Sequence, residues 1–168
     1  LEFRRVLFRS CPTGAKAAAV FTTNAIQAAP VTLCKKHIKT NPVYAAVINS
    51  GNANACTGKK GLVTAQVMCA KVGKELNIAP ESVLIASTGI IGKQLPITKI
   101  TLGITSAAKL LSGSRLAGSN FAKAIMTTDT RPKQAMRTVD IFGHTVTLAG
   151  TARGAGMIGP NTATTICV

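Results

Sequence analysis

The chain has 168 residues, of which 46% are hydrophobic and 4% aromatic, and it carries a formal net charge of +15. This length suffices to bury one sizeable core, and the absence of tryptophan predicts that the core is aliphatic. No apolar run approaches the roughly 20 residues that a membrane-spanning helix needs.

The positive charge has two explanations. A basic chain suggests an anionic partner such as nucleic acid, but it also fits a piece of protein whose acidic counterpart lies elsewhere. The lysines are scattered, and aromatic residues do not alternate with them as a binder of single strands requires. We therefore expect no nucleic-acid partner and no membrane partner. A basic anion-binding module without catalysis remains an alternative.

The first ten residues differ from the rest of the chain. Arginines and phenylalanines crowd into residues 1–10, and neither pattern recurs downstream. The segment is basic and amphipathic, as a transit peptide is. We favour a non-native leader instead, so the domain is expected to begin at residue 11.

Apolar spacing and turn residues predict strands and helices in the first half. Short β-branched runs beside Pro, Gly and Asn predict buried strands at Val31–Leu33 and Val43–Ile48. A loop at Gly51–Gly58 follows. Apolar residues three and four apart then predict a helix, which Asn77 and Pro80 end.

The second half continues the alternation. A short strand at Val83–Ala86 is predicted to enter a turn at Ser87–Gly89, and helical spacing covers Ile97–Leu111. Ser119 is predicted to cap a third, short helix. A β-hairpin is expected over Thr138–Ala149. No linker or repeat interrupts the chain, so we predict a single domain of the layered α/β class.

The cysteines and histidines show no metal-ligand spacing. The five cysteines are Cys11, Cys34, Cys56, Cys69 and Cys167. Their odd number and the lack of a CxxC motif predict buried or free thiols in a reducing compartment. His37 and His144 are isolated from each other and from the cysteines, so no metal is expected.

Three glycines, a proline and three threonines crowd around one Ala-Thr bond in the segment Ala152–Thr165. A threonine that begins a chain can be a nucleophile, because its own α-amino group takes the hydroxyl proton. That amine has a pKa of about 7.7–8.0, against about 10.4 for lysine. We predict self-cleavage between Ala163 and Thr164, with Thr164 attacking the Ala163 carbonyl and then serving as the catalytic nucleophile. A surface loop is the alternative.

Six motifs stand in order along the chain. They are Val20–Asn24, Ala28–Pro30, Asn49–Gly58, Ala86–Gly92, Ala124–Thr130 and Gly156–Thr164. Together they resemble the α portion of the arginine-biosynthesis glutamate N-acetyltransferases, also called ornithine acetyltransferases. The resemblance implies an α-β sandwich of the autoprocessing N-terminal-threonine type, whose α and β chains come from one precursor and form a heterotetramer. Residues 11–163 would be the α-chain domain and residues 164–168 the first residues of the β chain.

The same resemblance implies the reaction. Thr164 would contact the substrate and hold an acetyl ester while acetyl passes from N-acetylornithine to glutamate. Thr88 and Gly89 would stabilise the oxyanion, a function that is commonly the largest catalytic term. No cofactor is implied, although some members use acetyl-CoA as a donor. The expected location is the cytoplasm, or a mitochondrion or plastid in a eukaryote.

Substrate binding is implied for a second set of residues. The family contacts its amino-acid substrate from the motif that holds Thr127 and Thr128, and from a lysine where this chain has Arg153. Arginine keeps the charge but binds as a planar fork rather than a point donor. Ala155 and Thr162 stand where the family commonly has serine and methionine, which bears on how the substrate fits.

The loop at Asn49–Gly58 lacks the spacing of a phosphate-binding loop. We expect it to be a packed structural loop near the active centre, with Asn52 and Asn54 bonded to main chain.

Two enzyme classes share the threonine chemistry. The alternative to the transferase is an autoprocessing amidohydrolase or aminopeptidase of related fold, in which water is the acceptor. In either case most of the site lies beyond Val168, so this chain alone is expected to be inactive.

Overall fold

The computed structural model describes residues 5–40, 42–126, 129–154 and 166–167. Its elements are β1 (Arg5–Ala15), α1 (Ala29–His37), β2 (Val43–Asn52), α2 (Gly58–Leu76), a 3-10 turn (Pro80–Ser82), β3 (Val83–Ile90), α3 (Ile97–Lys109), α4 (Arg115–Ala124), β4 (Lys133–Ile141), β5 (His144–Arg153) and β6 (Ile166–Cys167). The predicted α/β class is confirmed. The domain is built from two compact units, and the second begins at Gly113.

The first unit is a three-stranded sheet with helices packed on one face. Strand β2 lies in the middle, antiparallel to β1 and parallel to β3. Phe8, Val47 and Ile85 are neighbours across the three strands, so they share a face of the sheet. That face packs against buried side chains such as Met68 of α2 and Ile100 of α3. The core is aliphatic apart from Phe8, in line with the composition.

Helix α2 and strand β2 confirm two predicted elements. The buried residues of α2 recur every three or four positions, as Ala65, Met68 and Val72 do, and they face the sheet. The helix ends at Asn77, which adopts a left-handed conformation with φ of 55°. Asparagine tolerates that conformation better than most residues do, which explains why the helix ends there.

The predicted strand at Val31–Leu33 is wrong, because these residues lie inside α1. Pro30 occupies the first turn of that helix, where its missing N–H costs nothing. Leu33 and His37, one turn apart, are both buried. A three-residue apolar run does not distinguish a strand from a helix, and here the four-residue spacing decides.

The predicted turn at Ser87–Gly89 is also wrong. Strand β3 continues to Ile90, because its last residues pair in parallel with Ser50 and Gly51 of β2. The prediction that Ser119 caps a helix is wrong as well, because Ser119 lies inside α4. Helix α4 begins after Ser114, whose Oγ accepts the Ala117 N–H at 3.2 Å.

The second unit contains α4 and a sheet in the order β4-β5-β6. The predicted hairpin is confirmed and is longer than expected. Its turn residues Phe142 and Gly143 have φ values of 53° and 78°, as a type I′ turn requires. Asp140 Oδ1 accepts the Gly143 N–H at 3.0 Å. All of β4 is exposed, and only Thr151 and Arg153 of β5 are buried.

The boundary predicted at residue 11 falls within β1. Residues on both sides of it, Arg5–Ser10 and Ala15, pair with β2, and Phe8 belongs to the core. Residues 5–10 are therefore not a separate structural segment, and the non-native origin of residues 1–10 stays a prediction. Across the described parts of the chain, no helix has the length and apolar character needed to cross a membrane.

Candidate functional site

The carboxyl ends of β2 and β3 approach each other unusually closely. Gly51 and Gly89 are partners in the parallel register, with φ values of 123° and 133°, which glycine adopts most readily. A Cβ atom on Gly89 would lie 2.3 Å from the Gly51 carbonyl carbon and oxygen. Glycine is therefore required at position 89. In open α/β sheets, ligands bind outside the carboxyl ends of the parallel strands.

Thr88 lies beside this contact and is buried. Since Ile85 faces the core, alternation along β3 places Thr88 on the opposite face of the sheet, together with its partner Ser50. A buried hydroxyl next to the main-chain N–H groups of a constrained strand end can donate hydrogen bonds to a developing negative charge.

Asn49 fixes the end of β2 to β3. Its Nδ2 donates to the Asn52 carbonyl at 3.0 Å, and its Oδ1 accepts from Ser87 Oγ at 2.5 Å. The main chain that leads into the Gly51–Gly89 contact is therefore tied to the adjacent strand. The two bonds of the Asn49 side chain therefore fix the carboxyl end of β2.

Asn54 confirms the prediction of a packed loop. Its Nδ2 donates to the Gly61 carbonyl at 2.9 Å, and its Oδ1 accepts from Thr57 Oγ1 at 2.8 Å. The prediction for Asn52 is wrong, because its backbone carbonyl rather than its side chain makes the bond. The Asn52 side chain is 4% exposed, and in the described structure its Nδ2 has no partner.

Arg153 ends β5 in the second unit and is only 5% exposed. Its Nε donates to the Ile125 carbonyl at 3.1 Å. Burial lowers the pKa of Arg153 from its ordinary value, and the negative charge of Asp129 opposes part of that shift. An arginine stays protonated under such conditions, so the end of β5 holds a buried cation.

Asp129 links the start of β4 to the residue that follows β5, a role that the sequence does not predict. Its side chain is 1% exposed and forms an ion pair with Lys133. Its Oδ1 also accepts the Gly154 N–H at 3.2 Å. The available signal was that Asp129 is one of only five acidic residues in a basic chain.

The buried cysteines do not resemble nucleophiles. Burial raises the pKa of Cys34, and it raises the pKa of Cys69 to about 12, so the thiols stay protonated at neutral pH. His37 Nδ1 donates to the Val83 carbonyl at 2.8 Å, which is a structural contact. Among the residues that the structure describes, no three His, Cys, Asp or Glu side chains are grouped to hold a metal ion.

The structure places part of the predicted site. Thr88 and Gly89 lie together at the end of β3, and Arg153 lies at the end of β5. The other predicted site residues fall outside the described residues, and these are Thr127, Thr128, Ala163 and Thr164.

A sequence profile of the ArgJ family matches residues 5–168. The arginine biosynthesis bifunctional protein ArgJ of Thermotoga neapolitana is 48% identical over 161 residues, which cover 95% of this chain and 39% of that protein. The protein of the same name from Symbiobacterium thermophilum is 49% identical over 148 residues, covering 88% and 36%. The chain thus spans less than two-fifths of the length of these relatives.

Two solved structures share the fold. ArgJ of Bacillus halodurans has a TM-score of 0.85 and 38% identity, and the match covers 96% of this chain and 84% of that one. Ornithine acetyltransferase from Mycobacterium tuberculosis, complexed with ornithine, has a TM-score of 0.80 and 34% identity, with 94% and 82% covered.

Proposed function

Because the chain belongs to the ArgJ family, we propose that it is the α-chain part of a self-cleaving acetyltransferase. The reaction moves acetyl from N-acetylornithine to glutamate in arginine biosynthesis, through an acetyl ester on Thr164. The observation that carries the proposal is the Gly51–Gly89 contact with Thr88 beside it, because a buried hydroxyl at a constrained strand end is suited to donate to a developing negative charge.

The lengths of the relatives support the cleavage step. The 161 matched residues are 39% of the Thermotoga neapolitana protein, which corresponds to about 410 residues. Matching 96% of this 168-residue chain takes up 84% of the solved Bacillus halodurans chain, which corresponds to about 190 residues. Cleavage of the longer protein into two chains near Ala163-Thr164 accounts for that difference.

In the proposed cleavage, the Thr164 hydroxyl attacks the Ala163 carbonyl, and the peptide bond between them becomes an ester. Water then hydrolyses the ester, which leaves Ala163 as a free carboxylate and Thr164 with a free α-amine. This amine accepts the hydroxyl proton when Thr164 attacks again, this time at an acetyl group.

In the proposed transfer, Thr164 Oγ attacks the acetyl carbonyl of N-acetylornithine. Ornithine leaves with the proton, and the acetyl group stays on Thr164 as an ester. The α-amine of glutamate then attacks the ester, forms N-acetylglutamate and restores the hydroxyl. Each attack creates an oxyanion, for which the Thr88 hydroxyl and the Gly89 N–H are the proposed donors.

The substrate is proposed to bind through its α-carboxylate and α-amino groups. Arg153 is the proposed cationic partner of the carboxylate, and Thr127 and Thr128 are the proposed polar contacts. Burial strengthens such a pairing, because a charge removed from water interacts more strongly with its partner. The Nε of Arg153 donates to the Ile125 carbonyl, which fixes the orientation of the guanidinium group.

The remaining proposals concern the whole protein. The β chain of the same precursor is the proposed partner, in a heterotetramer located in the cytoplasm. No cofactor is needed, and acetyl-CoA is a possible additional donor substrate. The chain of 168 residues alone is expected not to catalyse the transfer.

The test is Thr164→Ala in the full-length protein that carries this sequence. Mass spectrometry of the parent should show two chains, the second beginning at Thr164. The variant should show one chain and no exchange of acetyl between N-acetylornithine and glutamate. Thr165→Ala is the matched control and should be cut. Normal cleavage of the Thr164→Ala protein would contradict the proposal, and acetate release that does not depend on glutamate would identify a hydrolase.

A further inference from the structure

The end of β5 is fixed differently from the rest of its hairpin. Most of β4 and β5 is exposed, whereas Arg153 is buried and bonded to Ile125. The next residue, Gly154, has φ of 123°, which allows the main chain to change direction after the strand. Its N–H is held by Asp129, 25 residues earlier in the sequence.

The carboxyl end of β5 is also paired with strand β6. In the antiparallel register of β5 and β6, Arg153 pairs with Ile166 and Ala152 with Cys167. Arg153 and Ile166, which lie on either side of the segment that contains the Ala163-Thr164 bond, are therefore neighbours in the sheet. Asp129 lies at that place with a side chain almost completely removed from solvent.

We propose that Asp129 is a positioning residue for the self-cleavage. By accepting the Gly154 N–H, its carboxylate fixes the main chain at the upstream base of the segment that contains the Ala163-Thr164 bond. This inference rests on the proposed cleavage and adds a residue to it. Fixed geometry matters because a displacement of about 1 Å at a reacting bond can cost about 100-fold in rate.

Two charged neighbours hold the Asp129 carboxylate in place. Lys133 forms an ion pair with it, and the cation of Arg153 lies close enough to interact with it. A buried carboxylate that has cationic partners and accepts a main-chain N–H is more firmly placed than an exposed one. Asp129 is therefore suited to holding the Gly154 main chain in a fixed position.

The experiment measures the first-order rate at which purified full-length precursor is cut, at a temperature well below the unfolding midpoint of every variant. Asp129→Ala removes the acceptor and should slow cleavage by about 10–100-fold. Asp129→Asn keeps an acceptor oxygen but no charge, and its rate should lie between those of the parent and the alanine variant.

Asp140→Ala is the matched control. Asp140 also accepts a glycine N–H, but at the opposite end of the same hairpin. Its loss should leave the rate of cleavage within about twofold of the parent. Rescue by asparagine at position 129 together with normal cleavage of Asp140→Ala distinguishes positioning from a general effect on folding.

Three outcomes would overturn the inference. Cleavage of Asp129→Ala at the parental rate would show that the Gly154 contact does not matter. Equal slowing in Asp140→Ala would show that the hairpin as a whole is responsible. A parent that is not cut at Ala163-Thr164 would overturn the proposed function and this inference with it, whereas the first two outcomes leave the proposed function intact.

Discussion

The two units of the chain differ in how far the side chains of their sheets are buried. In the first, side chains such as Val47, Met68 and Ile100 are completely buried. Asn49 bonds within the end of β2, and Asn54 bonds the following loop to α2. In the second, Met136 and Leu148 are each 60% exposed. A two-stranded hairpin is at best marginally stable in water by itself. The sheet of the first unit is thus covered by a core on one face, whereas the hairpin of the second unit is largely exposed and the buried apolar residues described there, Phe121, Ala122 and Ile125, belong to α4 and its end.

The difference between the units predicts that replacing a glycine with alanine changes the free energy of unfolding much more at position 89 than at position 118. Gly89→Ala should lower the free energy of unfolding by about 2–6 kcal/mol, because backbone strain adds to a clash with Gly51. Gly118→Ala, in α4 of the second unit, meets nothing within 4 Å and should be neutral or stabilise by up to about 1 kcal/mol. Urea unfolding of this chain measures both. Equal destabilisation would remove the distinction between the units.

Substitution of Thr88 tests whether the first unit also contributes to catalysis. In the full-length enzyme, Thr88→Ala should lower kcat by about 10²–10³ and change KM little, since an oxyanion donor acts mainly in the transition state. Thr101→Ala is the control, because the Thr101 hydroxyl bonds only within α3, to the Thr98 carbonyl. The measurement is the kcat and KM of the parent and of both variants from steady-state kinetics. An effect confined to KM would make Thr88 a substrate-binding residue instead.

Arg153 tests whether the buried end of the second unit binds substrate. Arg153→Ala should raise KM for both N-acetylornithine and glutamate by roughly one to two decades, because a charge-assisted hydrogen bond contributes about 1.5–3 kcal/mol. Arg153→Lys should recover much of the affinity. A similar KM for both substrates in the parent and the alanine variant would show that Arg153 has a structural role, such as its bond to Ile125, and does not bind substrate.

Long periodic elements were predictable from the sequence. Helix α2 has repeated apolar spacing and a clear end at Asn77, and β2 has a β-branched run beside turn residues. The hairpin was predictable because only a few turn types join two strands so tightly. In each case the information lies within one element.

Features that depend on distant residues were not predictable. The sequence predicts a turn at Gly89, whereas Gly89 lies in β3 and lets that strand approach Gly51, which is 38 positions earlier. The role of Asp129 depends on Gly154, which no local pattern connects to it. The three-residue apolar run at Val31–Leu33 was too short to show its helical spacing.

The proposed nucleophile can be tested directly by trapping the acetyl group. The cleaved full-length enzyme should be incubated with N-acetylornithine in the absence of glutamate, digested, and analysed by mass spectrometry. We expect the mass of one acetyl group on the peptide that begins at Thr164, and we expect glutamate to remove it as N-acetylglutamate. Acetyl found on another residue, or turnover with no acetyl on Thr164, would contradict the account.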